Sequence, residues 1–205
     1  ARRGVKELNL VSQDTTMYGI DLRVKNGLIR LLQSLAKIDG VEWLRLFYCY
    51  PTFINSDLIE YIASEEKVCN YIDVPLQHAH DVMLKRMKRQ ETEKEVRRMI
   101  EELRRKIPDI ALRTTFITGF PGETEIEFRH LLEFVREIKF DHVGVFTYSH
   151  EEGTTAYDYP EIVSHEIAVE RKDELMRVQQ EICREKNKAH VGEVLPVLIE
   201  GTDSE

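Results

Sequence analysis

Apolar positions along this chain change their spacing repeatedly, from alternation at every second residue to intervals of three and four and back again. Residues 5–14 (VKELNLVSQD) alternate as a strand, and 27–38 (GLIRLLQSLAKI) carry apolar side chains at helical spacing. The same pair recurs as 43–51 (WLRLFYCYP) and 56–66 (SDLIEYIASEE), the helix opening on Ser56 as its N-cap. A short strand over 71–76 precedes two helical stretches, 81–87 and 92–107. The second of these begins with a T-E-K-E capping box from Thr92 to Glu95. A fourth strand follows at 111–120, a helix at 124–139 and a fifth strand at 142–149, which runs into the loop 150–160. Residues 164–192 then predict one long amphipathic helix with Ile167, Leu175, Val178 and Ile182 on one face, and 193–201 (EVLPVLIEG) return to a β pattern.

Strands alternating with helices over short connections specify a parallel sheet with its helices packed outside. Five such units fit an open sheet or part of a (β/α) barrel. The terminal β pattern has no second strand to pair with, so it reads as the first strand of a further β domain. The opening residues, ARRGVKELNLV, read as a helix end feeding a strand, which gives the chain the look of a piece of something longer.

With 42% hydrophobic and 32% charged residues among 205, the composition is that of an ordinary globular protein. No run approaches 18 apolar residues, so no membrane-spanning helix is predicted, and no signal peptide pattern is present. The net charge of −8 matches a basic protein partner better than naked nucleic acid. Basic residues do cluster at 85–90 and 101–106, but acids surround them and solvated helix faces account for them. Cys49, Cys69 and Cys183 form no CxxC, no zinc spacing and no disulfide framework. They read as small hydrophobes in a reducing compartment, and so place the protein in the cytoplasm.

Ligands of parallel α/β sheets sit at the carboxyl ends of the strands. Here those ends read SQDTTMYG, YCYP, PLQHAH, TGFPGET and YSHEEGT. Gln13, Gln77, His78, His80, Glu123, His150, Glu151 and Glu152 all fall in them. Two glycines, a proline and a carboxylate directly after the fourth strand suit either a backbone-lined ligand site or a tight turn. In the second case Glu123 only favours the next helix's first turn. Arg113, a permanent cation within an apolar strand, suits either a pair with neighbouring Asp73 or the carboxylate of a ligand. His78 and His80 have no third neighbour to complete a metal set and fit capping or hydrogen-bonding roles. No Walker motif, nucleophile elbow or dinucleotide-binding GxGxxG is present.

Taken in order, VSQDTTMYG, LFYCYP, IDVPLQHAHDVMLKRMKR, LRTTFITGFPGETEIEF and VGVFTYSHEEGTTAY resemble the radical S-adenosylmethionine (SAM) methylthiotransferases. The resemblance covers nearly the whole chain. It implies a partial TIM-type barrel core over 1–163, a connecting helix over 164–191, and the start of a TRAM domain over 192–205. It also implies SAM as cofactor, with two [4Fe–4S] clusters in the full-length protein. The family's CxxxCxxC segment is missing here, so no metal ligand is assigned in this chain, and the piece alone is expected to be inactive. The resemblance places Gln13, Gln77, Arg113, Ile117, Gly119, Phe120, Gly122, Thr147 and Tyr148 against SAM. Arg113 would meet the methionyl carboxylate, Ile117 and Phe120 the adenine, and the glycines would let the ligand approach bare backbone. His150, Glu151 and Glu152 fall on the substrate side. The SQDTT form favours the branch that modifies the β-carbon of an aspartate in a small-subunit ribosomal protein, with an electron-donor protein as a further partner. A tRNA adenosine substrate is the alternative within the family. A non-catalytic nucleotide-binding or partner-binding α/β module is the alternative outside it.

Overall fold

The computed structural model describes residues 1–199. Five parallel strands form one sheet in the order of the sequence: β1 (Glu7–Leu10), β2 (Trp43–Leu46), β3 (Val68–Asp73), β4 (Ala111–Thr118) and β5 (His142–Thr147). Between them lie α1 (Gly27–Ala36), α2 (Ser56–Ser64), α3 (Asp81–Arg86), α4 (Glu93–Lys106) and α5 (Glu125–Ile138), and α6 (His165–Ala189) follows β5. Sequential order without a reversal is the arrangement of a barrel segment rather than of a doubly wound sheet. Of the open sheet and the barrel segment that the alternation allowed, this is the second, the partial-barrel α/β fold that the resemblance implied.

The two faces of the sheet differ in kind. Leu44, Leu46, Ile72, Leu112, Phe116, Val143 and Val145 are buried against the helical layer, with Leu32, Ile59, Ile100, Leu132 and Leu175 among the helix residues that meet them. The alternate positions build a polar inner face. Arg45 pairs with Glu7 at 2.5 Å and lies over the Tyr71 ring at 4.8 Å, and Arg113 pairs with Asp73 at 2.9 Å. The second pair is a product of strand register, since Asp73 and Arg113 sit side by side across β3 and β4. Parallel sheets are usually apolar on both faces. A face of charged and aromatic pairs is the surface that would point into a barrel's interior.

Several boundaries differ from expectation for identifiable reasons. All five expected strands stop short of their predicted carboxyl ends; after β1 and β2 the chain leaves the ladder for the short 3-10 turns Thr15–Met17 and Pro51–Phe53. Cys49 therefore lies beyond β2, not inside a strand, although it is buried. The N-cap of α2 is Asn55, whose side chain accepts from the Leu58 N–H at 3.0 Å, and Ser56 is the first helical residue. Thr92 and Glu95 form the expected capping box, and Thr124 with Glu127 form a second one on α5. In α6, Ile167 is exposed and the buried stripe is Ala168, Arg171, Leu175, Val178, Gln179 and Ile182. The expected terminal strand does not form over 193–199, where Val194, Val197 and Ile199 are exposed and no ladder partner is present among the described residues. The remainder of that stretch, 200–205, lies outside the described residues.

Candidate functional site

The inner face opens at the carboxyl ends of the strands into a cleft of about 430 Å³, a volume typical of small-molecule sites. Gln13, Gln77, Arg113, Ile117, Thr147 and Tyr148 line it together. Each is placed by a local device. Asp14 caps the turn after β1 by accepting from the Thr16 N–H at 3.0 Å, which fixes the loop carrying Gln13. The Thr15 hydroxyl donates to the Phe47 carbonyl at 2.6 Å and its N–H to the Tyr48 carbonyl at 3.0 Å, tying that loop to the end of β2. Alternation along β4 turns Arg113, Thr115 and Ile117 toward the cleft and Leu112, Thr114, Phe116 and Thr118 toward the helices. Among the described residues β5 is an edge strand, so alternate backbone N–H and C=O groups of 142–147 have no ladder partner there.

Arg113 makes the Asp73 pair of the first reading and keeps exposed surface at the cleft. Its Nη1 is taken by the wholly buried Asp73 carboxylate, yet a third of its side chain remains exposed at the cleft. Asp73 Oδ2 also accepts from the Tyr48 N–H at 3.3 Å, and Asp73 Oδ1 is buried without a partner among the described residues. Burial pushes the neighbouring Tyr71 hydroxyl up to about 12, with Asp73 adding to the effect, so this part of the inner face carries no phenolate. Burial likewise pushes the Cys49 thiol up, reinforced by Asp73 and Asp14, and makes it a neutral wall of the cleft.

The bend after β4 lies beside the cleft rather than in its lining. Gly119 and Gly122 both have positive φ, +77° and +84°, but neither lines the cleft. A Cβ on Gly119 would stand 2.3 Å from Ala168 Cβ of α6, and one on Gly122 would stand 2.4 Å from the Arg86 guanidinium carbon. Their missing side chains make room for protein rather than for a ligand. Phe120 is buried and lies in a second groove that adjoins the cleft through Gln77 and Ile117, packed edge-on against Tyr148 and Tyr159. Glu123 precedes α5 rather than opening it. Its buried carboxylate turns back to accept from the Gly119 N–H and from Arg171 Nη1 at 3.0 Å. His150, Glu151 and Glu152 line neither the cleft nor the second groove: His150 stacks on Tyr157 at 4.3 Å, and Glu151 accepts from the Ser149 hydroxyl at 2.6 Å.

Sequence reasoning missed Tyr48, Tyr50, Arg89 and Phe146, which also line the cleft. YCYP had been identified as a strand end, so the two tyrosines were within reach. Arg89 was hidden in a charged helical run, and it emerges only because it lies over the Tyr50 ring at 4.3 Å and donates to the Pro75 carbonyl at 2.8 Å.

A family model described as the Radical SAM superfamily matches residues 1–135. The chain belongs to the radical SAM superfamily. Among curated relatives it is 52% identical over 199 residues to the ribosomal protein uS12 methylthiotransferase RimO of Clostridium kluyveri, covering 97% of this chain and 45% of that protein. It is 52% identical over 201 residues to the RimO of Pelotomaculum thermopropionicum, covering 98% and 45%. The chain thus spans about half the length of the curated relatives it matches. Of solved structures, the radical SAM enzyme coproporphyrinogen III oxidase (HemN) of Escherichia coli superposes with a TM-score of 0.62 at 16% identity, over 87% of this chain and 41% of that one. The Elp3 of Methanocaldococcus infernus gives 0.55 at 12% identity, over 86% and 44%. These two show the fold alone.

The residues present do not fit an iron–sulfur cluster. Cys49 follows β2, Cys69 lies in β3 and Cys183 in α6, and no group of three or more His, Cys, Asp or Glu residues is placed to hold a metal among the described residues. They do fit SAM. The cleft offers two guanidinium groups with exposed surface, Arg113 and to a lesser extent Arg89, together with two primary amides and the apolar faces of Ile117 and Phe146.

Proposed function

We propose that this chain is the cofactor-cradling part of a radical SAM methylthiotransferase acting on ribosomal protein uS12 in the cytoplasm. The observation that carries the reading is the convergence of Gln13, Gln77, Arg113, Ile117, Thr147 and Tyr148 on one cleft at the strand ends. The names of relatives that are about half identical over the aligned residues support the substrate. These residues would hold SAM, which when bound would supply the chemistry that takes a hydrogen atom from the substrate carbon.

This chain's own residues would bind, orient and exclude water. Arg113 would hold the methionyl carboxylate with the guanidinium edge that Asp73 leaves open, the fork geometry suiting a carboxylate. Ile117 and Phe146 would flank the adenine, and Gln13 and Gln77 would reach the polar ribose. Thr147 would add backbone groups from the outer edge of β5, and Tyr148, whose N–H is taken by the Thr118 carbonyl at 2.8 Å, would add its side chain. Fixing the cofactor in this way confines the reactive position to one substrate C–H bond. Both [4Fe–4S] clusters of the family pattern are assigned to other segments of the longer polypeptide.

The test is the full-length, cluster-reconstituted protein incubated with SAM, reductant and a uS12 peptide containing the target aspartate, with tRNA in parallel. Mass spectrometry should show one methylthio group replacing a hydrogen on the peptide and none on the tRNA. An unmodified peptide beside a modified tRNA would assign the chain to the tRNA-modifying branch.

A further inference from the structure

Two residues lining the cleft, Tyr48 and Gln77, have positive φ, and Gln77 is the one on the β4 side. Its φ is +69°, and the His78 N–H donates across it to the Leu76 carbonyl at 2.9 Å, the pattern of a γ-turn in its rare positive-φ form. Such a residue persists only where its surroundings over-determine it. One constraint is the β4 ladder: the Gln77 N–H donates to the Thr115 carbonyl and its own carbonyl accepts from the Ile117 N–H, both at 2.8 Å.

The other constraint is buried and distant in sequence. His78 Nδ1 accepts from the His80 N–H at 3.0 Å, which places the imidazole proton on Nε2, and Nε2 donates to Glu123 Oε1 at 3.4 Å. The second carboxylate oxygen of Glu123 accepts from Arg171 Nη1, and the same nitrogen donates to the Glu123 backbone carbonyl at 2.9 Å. The side chains of His78 and Glu123 are fully buried and that of Arg171 is nearly so. Arg171 belongs to α6, beyond the residues 1–135 matched by the superfamily model, and no α6 residue lines the cleft.

We infer that Arg171, Glu123 and His78 form a positioning relay that holds the γ-turn at Gln77, so that helix α6 sets the affinity of the cofactor cleft. The inference rests on the reading that the cleft binds SAM. None of the three touches the ligand in this scheme. They act on it only through the backbone of residue 77, and the buried charge pair is kept because replacing one member alone would leave the other uncompensated.

The test uses the full-length protein and S-adenosylhomocysteine as the calorimetric probe. Gln77→Ala examines the cleft itself and should weaken binding about tenfold, the effect of one lost polar contact. Arg171→Met combined with Glu123→Gln removes both charges together, so that neither is left buried alone, and should also weaken binding about tenfold. The triple variant should bind no more weakly than Gln77→Ala, because a relay acting through Gln77 has nothing left to position. Additive losses in the triple variant, or wild-type affinity in a folded Arg171→Met/Glu123→Gln protein beside a weakened Gln77→Ala, overturn the relay. Wild-type affinity in Gln77→Ala instead removes Gln77 from the cleft reading, and the relay falls with it. A readout that needs no variant is the tautomer of His78 by nitrogen-15 NMR, where a proton on Nδ1 rather than Nε2 would also overturn it.

Discussion

At the scale of single residues, Arg113 carries two roles that can be separated. Deleting its guanidinium leaves the Asp73 carboxylate, fully buried, with only the Tyr48 N–H as a donor. Arg113→Ala is therefore expected to lower the unfolding free energy by about 2–3 kcal/mol, more than an exposed ion pair would lose. Adding Asp73→Asn should recover most of that stability in equilibrium urea unfolding, since no buried charge remains, while affinity for S-adenosylhomocysteine stays reduced. Recovery of both quantities would mean that pairing with Asp73 is all that Arg113 does. His78 gives a pH signature. Burial holds its imidazole below the ordinary 6.5, a lowering that the hydrogen bond to Glu123 opposes without cancelling. As pH falls through about 6.5 the unfolded chain binds a proton that the folded chain refuses, so stability falls with pH from there down to the depressed folded value. The urea midpoint of the wild type should drop across that window, and His78→Gln should flatten the drop; parallel slopes would count against a neutral buried His78. Neither role was legible beforehand in full. The side-by-side pairing of Asp73 and Arg113 could be anticipated because both fall in predicted strands, whereas the burial of Glu123 could not, since its partners lie 45 and 48 positions away.

At the scale of elements, strand ends proved more informative than strand limits. Six of the nine residues that the resemblance assigned to the cofactor meet in one cleft, and that cleft lies at the carboxyl ends of the strands, where parallel topology alone places a ligand. Gly119 and Gly122 fall outside the cleft lining, and the reason is one a single chain hides: a glycine with positive φ signals a close approach without saying what approaches. Here it is α6 in one case and the Arg86 side chain in the other. The one local signal of α6's unusual face was Arg171 itself, which falls at helical spacing between Ala168 and Leu175 on the stripe that is buried. Gly119→Ala should cost about 1–2 kcal/mol for the left-handed backbone and a further 1–3 kcal/mol or so for the collision with Ala168. Gly153→Ala is the matched control, with φ +79° and nothing within 4 Å of the added carbon, and should show only the first component. Equal losses of thermal stability at the two sites would mean that the β4–α5 bend and α6 are not in close contact.

At the scale of the whole molecule, the sheet divides its labour by face. The outer face supplies the apolar core, the inner face holds paired charges, and the cleft opens where the inner face meets the strand ends. α6 joins this frame at two depths, through Leu175, Val178 and Ile182 in the core and through Arg171 at the β4–α5 bend. A ligand in the cleft should therefore be felt in a helix it never touches. At a free concentration 100 times its dissociation constant, a ligand bound only by the folded state stabilises that state by about 2.7 kcal/mol. Amides that exchange only when the cleft is lost should slow about 100-fold under those conditions, and amides released by smaller openings should not slow at all. Saturating the full-length protein with S-adenosylhomocysteine is expected to slow exchange in β4 and in α6 around residues 168–182 together, with the exposed loop 150–160 unchanged. Protection confined to β4 and β5 would mean that α6 opens independently of the cleft, and the helix would then be packing for the sheet rather than part of what holds the ligand.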